Sequence, residues 1–145
     1  MKTVLVIFFL ALLAAGFIYF NRATVSEEYR NINVGENTLR VKIAKTPADR
    51  ELGLQNVTSI RPDEGMLFVF ENPNEVAFWN KNTLLDLDLI WINNFQVVGV
   101  GSLPKEPGRG RVTINSPEKV NFVIEVSAGW ANSRGVKIGD IVPGY

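Results

Sequence analysis

The sequence contains neither cysteine nor histidine, and these two absences exclude more chemistry than any motif in it suggests. Without cysteine there is no disulfide to brace a small exported domain, no thiol nucleophile, and no point for lipid attachment of the bacterial lipoprotein kind. Without histidine, Ser-His-Asp and Cys-His nucleophiles are excluded, together with the imidazole- or thiolate-rich coordination that zinc and copper prefer. A surplus of charge is also missing: 15 Lys and Arg face 15 Asp and Glu. A nucleic-acid footprint is strongly basic, so no nucleic-acid partner is expected. No phosphate loop, dinucleotide fingerprint or calcium loop occurs, and neither a cofactor nor a resident metal is expected. Oxygen chemistry remains, in which carboxylates serve as acid and base or hold a hard cation.

The amino end is a separate matter. Thr3 to Phe20 carries no charged residue, a run that reaches the short edge of a membrane-spanning helix, roughly 17 to 25 residues, and exceeds the apolar core of a cleaved signal, about 7 to 15. Ala14-Ala15-Gly16 offers small residues to a signal peptidase, yet Phe17 to Phe20 continues the apolar run, with Tyr19 placed like an interfacial anchor. Residues 1–20 therefore read as a transmembrane anchor, with a cleaved signal as the alternative. Lys2 and Arg22 nearly balance the positive-inside bias. Because an amino-terminal signal usually exports the chain behind it, the domain is expected outside the cytoplasm: membrane-anchored, or secreted if the leader is cleaved. Residues 21–36 read as a polar tether and residues 37–145 as one globular domain.

Within that domain, period-two alternation and turn residues dominate. Leu39 to Ile43 alternates apolar and cationic side chains, as a half-exposed strand does. Thr46 to Gly53 reads as a two-turn helix, with Thr46 as cap, Pro47 in the first turn, Asp49 at the positive end of the dipole and Gly53 as the exit. Gly65 to Phe70 has no polar member after the glycine and suits a strand covered on both faces. Leu87 to Ile92 and Phe95 to Val100 flank Asn93-Asn94, so a hairpin with a type I′ turn is expected. Arg111 to Asn115, Val120 to Val126 and Val136 to Val142 add further strands, and Ala128 to Gly135 a second short helical turn. The expected fold is mainly β: an antiparallel, jelly-roll-like sandwich or partly closed barrel with two short helices. Pro104 to Arg111, rich in proline and glycine, reads as a mobile rim.

The densest concentration of functional groups is Phe78-Trp79-Asn80-Lys81-Asn82-Thr83. An exposed indole beside amides, a cation and a hydroxyl makes a platform for a sugar ring or another small polar ligand. The plainer reading packs Trp79 in the core and lets Asn82 and Thr83 close a strand entrance. Among carboxylates, Asp86, Asp88, Glu125 and Asp140 lie within or beside apolar segments, where a bare charge is expensive. Asp86 and Asp88, two apart on a strand, would stand about 7 Å from each other on one side. The plainer reading has Asp88 accept hydrogen bonds from the Asn82-Thr83 turn while Asp86 faces water, and has Glu125 pair with Arg50 or Lys81. Lys105, Arg109 and Arg111 could meet an anion, although cations on such a loop are more often simply solvated.

The order of these motifs is that of a known family. Arg50 with Gly53-Leu54, Gly65-Met66-Leu67-Phe68, Phe78-Trp79 with Lys81-Asn82-Thr83, Leu87-Asp88, Glu125, Ala128-Gly129, and Gly135 with Gly139-Asp140 resemble the domain of unknown function 192 family from Leu39 to Val142. The resemblance implies a jelly-roll-like sandwich or barrel, often behind a signal or anchor, and implies no reaction. The chain departs from the family pattern at Asn80, where Met is usual, at Asp86, where Pro is usual, and at Asn93, where Asp is common.

Three functions are compatible with these residues. The first is a non-catalytic, membrane-tethered binding or accessory module that presents Trp79, Asn80, Lys81, Asn82 and Thr83, with Arg50, to a cell-envelope glycan or small polar ligand. The second is a polysaccharide hydrolase or lyase using Asp88 and Glu125 as acid and base, which requires both carboxyl groups in one cleft within about 5 to 10 Å. The third is a structural partner in envelope assembly.

Overall fold

The computed structural model describes residues 29–144, so the apolar leader lies outside the described residues. Eight strands follow in chain order: β1 (Tyr29–Val34), β2 (Asn37–Ala44), β3 (Glu64–Asn74), β4 (Ala77–Trp79), β5 (Leu87–Asn93), β6 (Gln96–Leu103), β7 (Thr113–Asn115) and β8 (Val120–Ser127). Two short helices interrupt them, α1 (Pro47–Leu52) after β2 and α2 (Trp130–Ser133) after β8. Six strands form one sheet in the order β1-β2-β3-β8-β5-β6, and β4 pairs with β7 as a separate ribbon. The architecture is mainly β with two short helices, as the strand spacing indicates, and the sheet does not close into a barrel. The β2–β3 pair runs parallel while every other pairing is antiparallel, because α1 and the loop after it carry the chain back to the same end.

Three local expectations are corrected. Tyr29 to Val34 is a strand rather than the end of a tether, since Ile32 and Val34 alternate with Asn31 and Asn33 and bury against β2. Val136 to Val142 forms no full strand: beside β6 it makes an isolated bridge between Gln96 and Ile141, backbone hydrogen bonds between Val97 and both Gly139 and Asp140, and a bond from the Gln96 side chain to the Gly139 carbonyl. The hairpin turn sits one residue later than expected: Asn93 pairs with Gln96, and Asn94 and Phe95 take the positive φ values of 47° and 64° that a type I′ turn needs. Phe95 is a bulky residue to find there, and its ring packs 5.5 Å from that of Phe122.

Helix α1 forms where its caps dictate. The Thr46 side chain accepts from the Asp49 amide at 3.1 Å, while the Thr46 amide donates to the Asp49 carboxylate at 3.3 Å, a reciprocal capping box. The Thr46 hydroxyl also donates to the Asp49 carboxylate at 2.6 Å, and this bond first, with the Thr46 amide second, holds the Asp49 carboxyl below its ordinary value. Gly53 ends the helix with φ 50° and ψ −136°, outside the regions open to other residues, and donates to the Asp49 carbonyl.

The sheet is buried on both faces. On one, Leu67 of β3, Ile124 and Val126 of β8, and Ile90 and Ile92 of β5 join residues of β1 and β2 and are covered by Trp130 and Val142. On the other, Met66, Phe68, Val123, Leu87, Leu89 and Trp91 lie beneath Phe78 of the β4–β7 ribbon, with Leu54 and Ile60 of the loop after α1 packed against them. Phe78 fixes the ribbon through edge-on contacts with Phe68 at 4.8 Å and Trp91 at 5.5 Å. β8 runs through the middle of this double core, and β3 approaches it closely at Gly65. A Cβ on Gly65 would lie 2.4 Å from the Glu125 carbonyl oxygen and 2.9 Å from Val126 Cγ1. Gly65→Ala should therefore lower stability by about 2 kcal/mol or more, the range of overpacking in a rigid core, read as a drop in the urea midpoint at unchanged slope.

Candidate functional site

The residues singled out in the sequence divide between the two faces of the sheet. Asp88 pairs in register with Val126, and Glu125 with Leu89 on one side and Met66 on the other. Side chains paired across strands share a face, so Asp88 belongs with Val126 on the α2 side and Glu125 with Leu89 and Met66 on the ribbon side. The acid-base pair that would serve a hydrolase is thus split by the sheet. Asp88 acts instead as a cap, its Oδ2 accepting the Ala131 amide at 3.0 Å and so satisfying the free end of α2 from a neighbouring strand. That amide replaces the Asn82-Thr83 partner expected for it. Asp86 accepts the Lys105 amide at 3.0 Å and is exposed.

The knot between Trp79 and Thr83 also divides. Asn80 is fully buried, and its side chain is spent on the backbone: Nδ2 donates to the carbonyls of Pro104 and Gly110, both at 2.9 Å, and Oδ1 accepts the Val112 amide at 2.8 Å. As a ligand-binding residue it is corrected to a fold-holding one. Asn82, at φ 53°, donates its amide to Glu106 Oε2 at 2.7 Å and its side-chain nitrogen to Gln55 Oε1 at 3.3 Å. Together with the bond from the Glu106 amide to the Thr83 carbonyl, these contacts fasten the Pro104 to Arg111 loop down, so the expected mobile rim is tied at several points. Lys81 lies over the Trp79 ring, its Nζ 4.8 Å from the centroid.

Trp79, Thr83, Arg50 and Glu125 do converge. Trp79, 40 % exposed, borders an open groove of about 370 Å³ between α1 and β4, floored by Phe68 and Phe78 and flanked by Phe70, Val76 and Arg50. Adjoining it is a narrow crevice of about 20 Å³ lined by Gly53, Leu54, Thr83 and Glu125; groove and crevice share Arg50, Glu51, Phe68, Phe78 and Trp79. A volume of that order holds one water or one small polar group. Gly53 roofs the crevice, and a Cβ on it would stand 3.7 Å from Glu125 Oε2 and 3.4 Å from Phe68 Cζ.

Glu125 is the anomaly of the site. It is 4 % exposed, and Oε2 has no hydrogen-bond partner. The expected pairing with Arg50 or Lys81 is absent. Arg50 donates instead to the carbonyls of Lys45 and Val69 and lies over the Phe70 ring at 5.1 Å, and Lys81 is on Trp79. Burial pushes the Glu125 carboxyl from its ordinary 4.5 up to about 8, against the weaker opposing pull of the Leu54 backbone amide. A neutral carboxylic acid thus stands at the closed end of an aromatic groove at neutral pH. Nothing in the sequence separates this carboxylate from Asp88; only the strand register does.

A second cavity of about 390 Å³ shares Gly53 and Leu54 with the crevice and is lined by Tyr29, Lys42, Ile60, Arg61, Glu64 and Met66. Its polar rim is occupied by ion pairs, Arg40 to Glu64 at 2.6 Å and Arg61 to Glu64 at 3.6 Å.

This geometry has two testable consequences. Asn80→Ala should cost about 2 to 4 kcal/mol, since it strands the buried Val112 amide and two carbonyls, and should speed hydrogen exchange at Val112 and across residues 104–111. For Glu125, the folded state keeps a proton that the unfolded chain releases between pH 4.5 and about 8. Stability should fall as pH rises through that window, by at most about 1.4 kcal/mol per unit. Urea unfolding at pH 5, 6.5 and 8 should show that slope in the natural protein and its flattening in Glu125→Gln.

The comparisons with known proteins agree with this architecture. A comparison with curated proteins gives no match. A solved structure from Sinorhizobium meliloti 1021, described as a proposed transcription regulator, superposes with a TM-score of 0.73 at 31% identity, over 83% of this chain and 96% of that one. A protein of unknown function from Novosphingobium aromaticivorans DSM 12444 superposes with a TM-score of 0.76 at 24% identity, over 85% and 90% of the two chains, and shows the fold alone. The model of family DUF192, described as uncharacterized ACR, COG1430, matches residues 30–144, and the chain belongs to that family.

Proposed function

We propose that this domain is a non-catalytic binding module for a small ligand of the cell envelope, a glycan or another small polar molecule, held outside the cytoplasm by its apolar leader. One observation carries the reading: the groove beside the exposed indole of Trp79 shares Arg50, Glu51, Phe68, Phe78 and Trp79 with the crevice that the unpartnered carboxyl oxygen of Glu125 lines. Its volume of about 370 Å³ falls within the range of small-molecule sites, roughly 300 to 1,000 Å³, and an apolar lining with a few placed polar groups is the usual composition. Trp79 and Phe70 offer ring surface at the mouth, and Glu125 supplies the one directional group at the end. The polysaccharide hydrolase reading loses its basis, because Asp88 and Glu125 occupy opposite faces. The regulator description of the Sinorhizobium neighbour finds no support in a chain of formal charge zero. The leader and the export of the domain rest on the uncharged run Thr3 to Phe20; among the described residues no helix is long and apolar enough to cross a membrane.

Titration with envelope oligosaccharides, followed by indole emission and thermal shift, tests the reading. Trp91 and Trp130 are buried in the core, so the response should come from Trp79 and disappear in Trp79→Phe at unchanged melting temperature. Emission and melting temperature that stay constant across neutral, acidic and amino-sugar oligomers would defeat the proposal.

A further inference from the structure

The groove accounts for a ligand's body, and the crevice beneath Gly53 must take whatever group enters last. It admits about one small polar group. Glu125 at its end is buried with one oxygen unpartnered, and a buried carboxyl without a counter-charge is a standing cost to the fold. The chain has two cations at hand and commits both elsewhere, Arg50 to the Lys45 and Val69 carbonyls and Lys81 to the Trp79 ring. Aromatic side chains line the approach, and their faces favour positive charge: Phe70 and Trp79 already carry these two cations on their rings.

We infer that the crevice is an ammonium subsite, in which Glu125 supplies the counter-charge to a small amine whose apolar or sugar body lies in the groove against Trp79. This rests on the groove being the binding site. Glu125 begins as the neutral acid and ends as the carboxylate paired with the ammonium, and its proton passes to solvent. The charged groups around it are few. Helix α1 brings Arg50 and Glu51 to the lining, Lys81 follows β4, and β2 places Lys42 beyond Met66 in the register Lys42–Met66–Glu125. β5 sets uncharged Leu89 against Glu125, with Asp88 on the other face.

Benzylammonium and benzyl alcohol, alike in shape and different in charge, separate the possibilities. Binding to the full chain is read by the amide resonances of Gly53 and Leu54, and by calorimetry in two buffers of different ionisation heat. Benzylammonium should bind with release of about one proton near pH 6.5. Its affinity should rise about tenfold per pH unit below 8 and level off above, until the amine loses its own proton. Glu125→Gln should weaken the amine at least tenfold near pH 8 and leave the alcohol unchanged. Equal binding of the alcohol, or amine binding without proton release, overturns the inference and leaves the groove standing as a site for a neutral ligand. Binding by neither compound overturns it as well, and the groove itself falls only if the oligosaccharide titration of Trp79 is also flat.

Discussion

The three-strand ladder of β3, β8 and β5 constrains everything else, because it is covered on both faces and buries its middle strand from Phe122 to Val126. Phe122, Ile124 and Val126 face one core, and Val123 and Glu125 face the other. On a sheet with one wet face, a glutamate would simply turn outward. Here the contact that admits β3, Gly65 lying against the Glu125 carbonyl, seats the carboxyl between Met66 and Leu89. The carboxyl lines the small crevice beneath Gly53, whose backbone geometry is unavailable to a residue with a Cβ. Packing and site are one arrangement.

The polar knot ahead of β5 has a different purpose. Asn80 satisfies two carbonyls and one amide from a segment that makes no strand until Thr113, which converts a glycine- and proline-rich stretch into a fixed wall. The family resemblance places Met at this position more often, and a thioether makes none of these three bonds. The wall in this chain is held by these three bonds. Because that wall leads into β7, and β7 pairs with β4, the anchoring bears on where Trp79 stands at the mouth of the groove. The amides that looked like a binding surface therefore act at one remove.

Local signals were legible where they were self-contained. Thr46, Pro47, Asp49 and Gly53 bound α1 almost to the residue, because each acts through its nearest neighbours. The strand at Gly65 to Phe70 and the hairpin at Asn93 and Asn94 were equally plain in kind, the turn sliding by one so that Ile92 and Val97 could share a core. β1 was present as a period-two pattern in Asn31 to Val34 and was masked by the polar residues around it. Two features had no local signal. The parallel β2–β3 pair depends on where the loop after α1 returns, and the assignment of Glu125 and Asp88 to opposite faces depends on register between strands far apart in the chain. One spacing in sequence gives two faces or one according to pairing. Arg50, Trp79, Thr83 and Glu125 could be named separately from their residue types, and only the fold shows that they share a cavity.

A buried acid without a counter-charge calls for a physical reason, since an apolar residue of similar size in its place would fill the same space without desolvating a carboxyl. Cores built for stability alone remove such groups, and sites built to bind retain them. The neighbouring cations sharpen the point. Arg50 lines the same crevice as Glu125 and has the reach of a long side chain, yet its guanidinium is held by the Lys45 and Val69 carbonyls and stacked on Phe70. An internal Arg50–Glu125 pair would neutralise the carboxyl and plug the crevice, and the fold satisfies the arginine elsewhere and leaves the acid open. The carbonyls of Lys45 and Val69 thus help to keep the crevice open, by giving this arginine a better place to be.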